Sequence, residues 1–353
     1  MHSVSPSRPR RSRRRGSLAL ISTAALVAAG VTGLASCQGD DSSGAAAPGT
    51  TAAAATAPAG PVDLTMAAYD PKTTPVQPGP KTFELTTTEK NIKIGDKVYR
   101  MWMFNNTVPG PVLRAVQGDT ITIKIKNDKT SQYFHSVDFH ASRLTLGGGH
   151  VQAAPGKEGT YKFKLDYPGV FMYHCATAPV VQHIGMGMYG MIIVQPKGGF
   201  GKNMPEYALT QSEIYSSLDG IMKNEPAAMA FNGIPAQYLT SPIKVKPNSD
   251  ARFFVLNAGP SELSSFHIVG TIFDRAFEDG NTSPHNMSVG RQTIPLAASG
   301  ATMVEAKFVG EGKFPFVTHQ FDHAQMGAVG MVLAGDGKPG PGAADDPASN
   351  GHH

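Results

Sequence analysis

The sequence predicts an all-β protein of two tandem β-sandwiches, and three observations carry that expectation. Stretches of strict apolar–polar alternation recur along the chain, while helical periodicity is hard to find after residue 60. The 353 residues include 39 Gly and 27 Pro, a composition suited to short strands joined by tight turns. The second half repeats the strand pattern of the first, and the length suffices for two domains of ordinary size.

Residues 1–37 read as a signal segment. Arg8, Arg10, Arg11, Arg13, Arg14 and Arg15 precede an apolar stretch from Leu18 to about Val31 that is too short and too rich in small residues to span a membrane. The stretch ends in Leu34-Ala35-Ser36-Cys37, similar to a lipoprotein cleavage box with Cys37 as the lipid-bearing residue. Arg14-Arg15-Gly16-Ser17-Leu18 resembles a twin-arginine export signal. The expectation is an exported, extracytoplasmic protein whose membrane contact is the lipid anchor alone. Residues 38–80, rich at first in Ala, Gly, Thr, Ser and Pro, form a flexible tether and lead-in.

The formal charge of +4 comes from the signal segment. Setting its six arginines aside leaves 25 Lys and Arg against 27 Asp and Glu, so nothing in the bulk charge favours nucleic acid. The two cysteines, Cys37 and Cys175, each have a separate task, which excludes a structural disulfide.

Strands begin near residue 81. Asp119 to Asn127 alternates without a break and puts Ile121, Ile123 and Ile125 on one face; Thr160 to Leu165 alternates as well. Met191 to Val194 is apolar throughout and reads as a strand buried on both faces. A first domain over 81–198 and a second over 199–336 follow, with the boundary near Pro196–Pro205 and a disordered tail over 337–353. Asp250–Asn257 echoes 119–127, and Ser265-Phe266-His267 echoes the first histidine strand. Thr318-His319-Gln320, followed by Gly327 to Leu333, echoes Tyr173-His174-Cys175 followed by Gly187 to Val194. In this alignment Gln320 stands where the first copy has Cys175, so the second copy cannot build a thiolate site of its own.

The chemistry lies in two stretches, His135 to His140 and Tyr173 to Met188. Two imidazoles, one thiolate and a weak axial thioether form the ligand set of a blue-copper electron-transfer site. His135, Cys175, His183 and Met188 supply that set and leave His140 and His174 unspent, with Asp138 beside them. Successive side chains of a strand point to opposite faces. If 135–140 is extended, His135 and Cys175 share one face, while Asp138, His140 and His174 gather on the other as a candidate second metal site. The adjacent pair Cys175-His174 then links two metals by a few covalent bonds.

From about Val98 to Leu333 the chain resembles the copper-containing nitrite reductases. The matching residues are Phe104 to Val116 with its Val-Pro-Gly-Pro core, Val137-Asp138-Phe139-His140, Tyr173-His174-Cys175-Ala176, His183 with Met188-Tyr189-Gly190, and Ser264-Ser265-Phe266-His267. The resemblance implies two tandem cupredoxin-like Greek-key domains with two coppers per chain. It implies a type 1 copper on His135, Cys175, His183 and Met188, and a type 2 copper on His140, His174 and His319. Asp138 and His267 match the groups that pass protons to nitrite, and Val269 falls where the family places an apolar residue over the substrate. The family also implies a homotrimer and a small electron donor, either a cupredoxin or a c-type cytochrome. One departure stands out: seven residues separate His319 from Gly327, one fewer than in familiar members, and His323 competes as the third ligand. His319 is preferred because the repeat aligns it with His174.

Two other functions compete. A laccase-like oxidase would build a three-copper cluster from His-x-His pairs, and this chain contains none. A non-enzymatic blue-copper carrier would hold one copper where the reductase holds two.

Overall fold

Alternation along the chain becomes two pairs of packed sheets. The computed structural model describes residues 74–144 and 151–338. The expected signal segment with Cys37, the expected tether up to residue 73 and the tail from residue 339 lie outside the described residues.

The first sandwich contains β1 (Lys81–Ile94), β2 (Lys97–Phe104), β3 (Leu113–Val116), β4 (Thr120–Asn127), β5 (Asp138–Phe139), β6 (Glu158–Lys164), β7 (Gly169–His174), α1 (Val180–Gly185) and β8 (Tyr189–Gln195). One sheet has the order β2-β1-β4-β6 and the other β3-β8-β7-β5. The second sandwich contains β9 (Glu206–Ile214), α2 (Leu218–Lys223), β10 (Ala228–Phe231), α3 (Gln237–Thr240), β11 (Ile243–Val245), β12 (Ser249–Gly259), β13 (Ser264–Ile268), β14 (Phe273–Glu278), β15 (Met287–Ser288), β16 (Thr293–Leu296), β17 (Ala301–Phe308), β18 (Gly312–Thr318), α4 (Phe321–Gln325) and β19 (Val329–Ala334). Its sheets run β10-β9-β12-β17-β14-β15 and β11-β19-β18-β13-β16. Each sandwich mixes antiparallel neighbours with parallel pairs, β1 with β4 and β3 with β8 in the first, β9 with β12 and β11 with β19 in the second. No described helix is long and apolar enough to cross a membrane.

Ile121, Ile123 and Ile125 on β4 are fully buried and fill the first core with Val137, Phe139, Tyr173 and Ile192, while Lys124 and Lys126 face water. The second core is aromatic, with Phe253, Phe266, Phe273, Phe308 and Phe316 in contact. A third apolar layer joins the two sandwiches, all within one compact unit. In this layer Met172, Met191 and Ile193 meet Phe254, Leu256 and Met303. That layer explains the uninterrupted apolar run of β8: Ile192 and Val194 point into the first core, and Met191 and Ile193 into the joining layer. Beside it, Arg114 of β3 reaches Glu206 of β9 at 2.7 Å, and Glu206 also accepts from the buried Arg252 at 2.7 Å.

The same glycine fixes the loop after the helix in both copies. Gly187 has φ 115° and Gly327 φ 119°, a left-handed conformation open to glycine, and a Cβ at Gly327 would stand 2.5 Å from the Met229 carbonyl oxygen.

Candidate metal centres

The strand-parity argument holds. His135 forms an isolated antiparallel bridge with Ala153, and three residues later Asp138 pairs with His174 across β5 and β7. Two clusters result, one buried set of His135, Cys175 and His183 and one partly exposed set of Asp138, His140 and His174, with the ligand atoms of each set within 4.8 Å of one another.

In the buried set, Cys175 Sγ lies 3.1 Å from His183 Nδ1 and 4.0 Å from His135 Nδ1, and the two Nδ1 atoms are 3.3 Å apart. Donors bound to one metal at about 2.0–2.3 Å stand roughly 3–4 Å from each other, so these three atoms fit a single ion. Met188 is fully buried, and its carbonyl accepts from the Cys175 N–H at 3.0 Å. Burial pushes the Cys175 thiol up, but hydrogen bonds from His135 and His183 and from the Ser136 N–H outweigh it and hold the thiol well below its ordinary value. A thiolate buried beside two imidazoles is the soft donor set that selects copper.

Sequence reasoning missed the shell around this set. The Ser136 N–H points at Cys175 Sγ at 3.4 Å, and Ser136 Oγ pairs with Thr177 Oγ1 at 3.1 Å. Trp102 touches both imidazoles edge-on, with ring centroids 5.7 Å from His135 and 4.7 Å from His183. Glu89 Oε1 stands 3.2 Å from His135 Nε2. Trp102 is the chain's one tryptophan, which was the available signal; Glu89 had only a weak one, a polar triplet (Thr87-Thr88-Glu89) repeated as Gln211-Ser212-Glu213.

In the second set, His140 Nε2 and His174 Nε2 approach to 3.0 Å, and Asp138 Oδ2 lies 4.0 Å from His174 Nε2. His174 Nδ1 donates to the Cys175 carbonyl at 2.9 Å, which leaves the Nε2 lone pair for a metal. Partial loss of hydration at His140, and then the neighbouring His174, lower its pKa below the ordinary imidazole value, which favours the neutral form that can ligate. A cleft of about 540 Å³ opens beside His140, lined by Met172 and the 295–301 segment that joins β16 to β17.

The remaining candidates lie in the second sandwich. His267 on β13 and His319, one residue past β18, hold their rings 5.2 Å apart. His267 Nδ1 donates to the Gln292 carbonyl at 2.5 Å, which directs Nε2 away from the strand pair. Val269 follows β13 and is exposed. His323 is buried on α4, with Nε2 3.6 Å from Glu262 Oε2. Among the described residues, neither His319 nor His323 joins the cluster of His140 and His174.

The hydrogen-bond register corrects one part of the repeat alignment. Cys175 N donates to Met188 O, and Thr318 N donates to Ala328 O, one residue after the matching glycines. Thr318, not Gln320, therefore stands in the place of Cys175, and His319 matches Ala176 instead of His174. Gly187 follows Cys175 by 12 residues but Gly327 follows Thr318 by 9, and that shortening misled the sequence alignment. His323, four residues before Gly327, occupies the place of His183. Thr318 Oγ1 accepts from the Ser265 N–H at 3.0 Å, as Cys175 Sγ does from Ser136.

Two joined sandwiches with a His-Cys-His set in the first define a two-domain copper protein of the cupredoxin type. The multicopper oxidase family profile matches residues 86–199. The copper-containing nitrite reductase of Neisseria meningitidis serogroup A is 36% identical over 265 residues, 70% of this chain and 68% of the relative. That of Neisseria gonorrhoeae is 35% identical over 70% of this chain and 67% of its own. Among solved structures, the copper nitrite reductase of Nitrosomonas europaea superposes with a TM-score of 0.69 at 34% identity, over 73% of this chain and 94% of that one. The chain belongs to the copper-containing nitrite reductases. Proteins of this family use type 1 and type 2 copper, and the two clusters are suited to them.

Proposed function

We propose that this protein reduces nitrite to nitric oxide, taking up one electron and two protons and releasing water. The observation that carries the assignment is the back-to-back placement of the two donor sets, joined through consecutive residues Cys175 and His174. When bound, copper supplies a one-electron couple at the thiolate set and a Lewis-acidic position at the imidazole set. His135, Cys175, His183 and Met188 would hold the first ion, and His140, His174 and His319 the second. The covalent step from Cys175 to His174 offers an electron a path of few bonds. Asp138 would pass one proton to the departing nitrite oxygen, and His267 would supply the other. Val269 covers the substrate.

His319 is proposed over His323 because it is exposed beside His267, whereas His323 is buried against Glu262. His140 and His174 belong to the first sandwich and His319 to the second, outside their cluster. We propose that the third imidazole comes from a neighbouring copy in a homotrimer, since a head-to-tail contact that closes into a ring completes every site. The electron donor is proposed to be a small cupredoxin or c-type cytochrome. The proposed location is extracytoplasmic, reached by the signal segment and kept by a lipid on Cys37; Cys37→Ser should then release the protein from the membrane fraction.

Nitrite-dependent nitric oxide release by copper-loaded protein tests the function. Activity with two coppers per chain supports it. A blue protein with one copper and no nitric oxide would instead be an electron carrier.

A further inference from the structure

Glu89 is a carboxylate buried on β1 with more partners than a strand residue needs. Its Oε1 accepts from the backbone N–H of Gln132 at 2.8 Å and of Tyr133 at 3.1 Å, and meets His135 Nε2 at 3.2 Å. Its Oε2 faces Arg100 Nη2 at 3.3 Å. The second sandwich contains the same device without the imidazole. Thr87 pairs with Asn127 and Gln211 with Asn257, so Glu89 and Glu213 occupy one position of the repeat. Glu213 Oε1 accepts from the backbone N–H of Ser261 at 3.0 Å and of Glu262 at 2.7 Å, clasping the corresponding loop. His135, however, is replaced there by Ser264, whose Oγ donates to Gln211 Oε1 at 2.7 Å. Clasping the loop is therefore common to both copies, and the contact to an imidazole belongs only to the copy that carries a thiolate.

We propose that Glu89 is a positioning residue for the thiolate copper: through the Nε2–H of His135 it fixes the ring with Nδ1 toward Cys175 and lowers the reduction potential of the site. This rests on the proposed copper assignment of His135, Cys175 and His183. A negative charge on the far nitrogen makes the near nitrogen a stronger donor, which favours the more highly charged state of the metal. Arg100 tempers the effect by drawing on the other oxygen.

The test is a redox titration of the copper-loaded full chain, following the thiolate-to-copper absorption. Glu89→Gln keeps the shape and the loop contacts and removes the charge, so the protein should stay blue and its potential should rise. Glu213→Gln removes the same charge from the second loop and should leave the potential unmoved. Arg100→Ala, at a half-exposed side chain, should lower the potential by itself, and this single variant decides the matter if Glu89→Gln loads no copper; where both load, its shift should be smaller with Glu89→Gln present. A blue Glu89→Gln chain with the parent potential, or an Arg100→Ala chain with the parent potential, overturns the inference. A parent chain that never turns blue fails the copper assignment itself and removes the inference with it.

Discussion

His267 stands in the second sandwich where Asp138 stands in the first. Asp138 lies opposite His174 on β7, and His267 lies opposite Val317 on β18; His174 in turn faces Tyr189, and Val317 faces Val329, each two residues past the matched glycine. The two residues proposed to handle protons thus occupy one position of the structural repeat, filled once by a carboxylate and once by an imidazole.

Asp138→Asn keeps the shape of the side chain and removes its acid. Both coppers should remain bound, and nitrite turnover at saturation should fall by about 10²–10⁴-fold, the usual contribution of a positioned proton donor. Metal analysis with steady-state rates checks this. Unchanged turnover would reduce Asp138 to a structural partner of His174.

Cys175→Ala removes the one thiol among the described residues. The intense thiolate-to-copper absorption should vanish and turnover driven by an electron donor should stop, while copper at His140 and His174 is retained. Absorption and metal content of the variant decide this, and a variant that stayed blue would sink the assignment.

Much of this was legible in the sequence because side-chain parity is a local property. The spacing of His135, Asp138 and His140, with the adjacency of His174 and Cys175, was enough to sort the ligands onto two faces. Alternation in β4 marked its buried isoleucines, and the apolar run of β8 marked a strand covered on both sides. The match of His319 to His174 failed because loop length, not strand pattern, set the offset between copies, and a strand shifted along its neighbour changes which residue occupies each place. Glu89 stayed hidden because a glutamate in an alternating strand normally faces water; only the fold brings the 132–135 segment over it.

Glu213 makes stability depend on pH. Burial raises its carboxyl above the ordinary value of 4.5 despite hydrogen bonds from Tyr215 and the Glu262 and Ser261 N–H groups. A carboxyl raised in the folded state binds its proton more tightly there than in the unfolded chain, so its contribution is fully present below pH 4.5 and is lost as pH rises through the folded value. Glu213→Gln cannot ionise and should lack this loss. The melting temperature of the variant relative to the parent should therefore climb as pH rises above 4.5. A difference that stays constant with pH would show that the carboxyl titrates alike in both states.

The shared-site arrangement makes the sharpest prediction. His140→Ala and His319→Ala chains should each be inactive, since each lacks one of the three imidazoles proposed for the catalytic ion. If His319 reaches the site of a neighbour, unfolding and reassembling the two variants together produces rings in which some sites take His140 and His174 from the His319→Ala chain and His319 from the His140→Ala chain. Those sites are complete, and nitrite turnover should return in the mixture. If all three imidazoles came from one chain, every site would still lack one after mixing, and the mixture would stay dead. A control in which wild-type chains are carried through the same unfolding and reassembly sets the yield against which the recovered activity is judged, and size-exclusion chromatography with light scattering gives the number of chains in the ring.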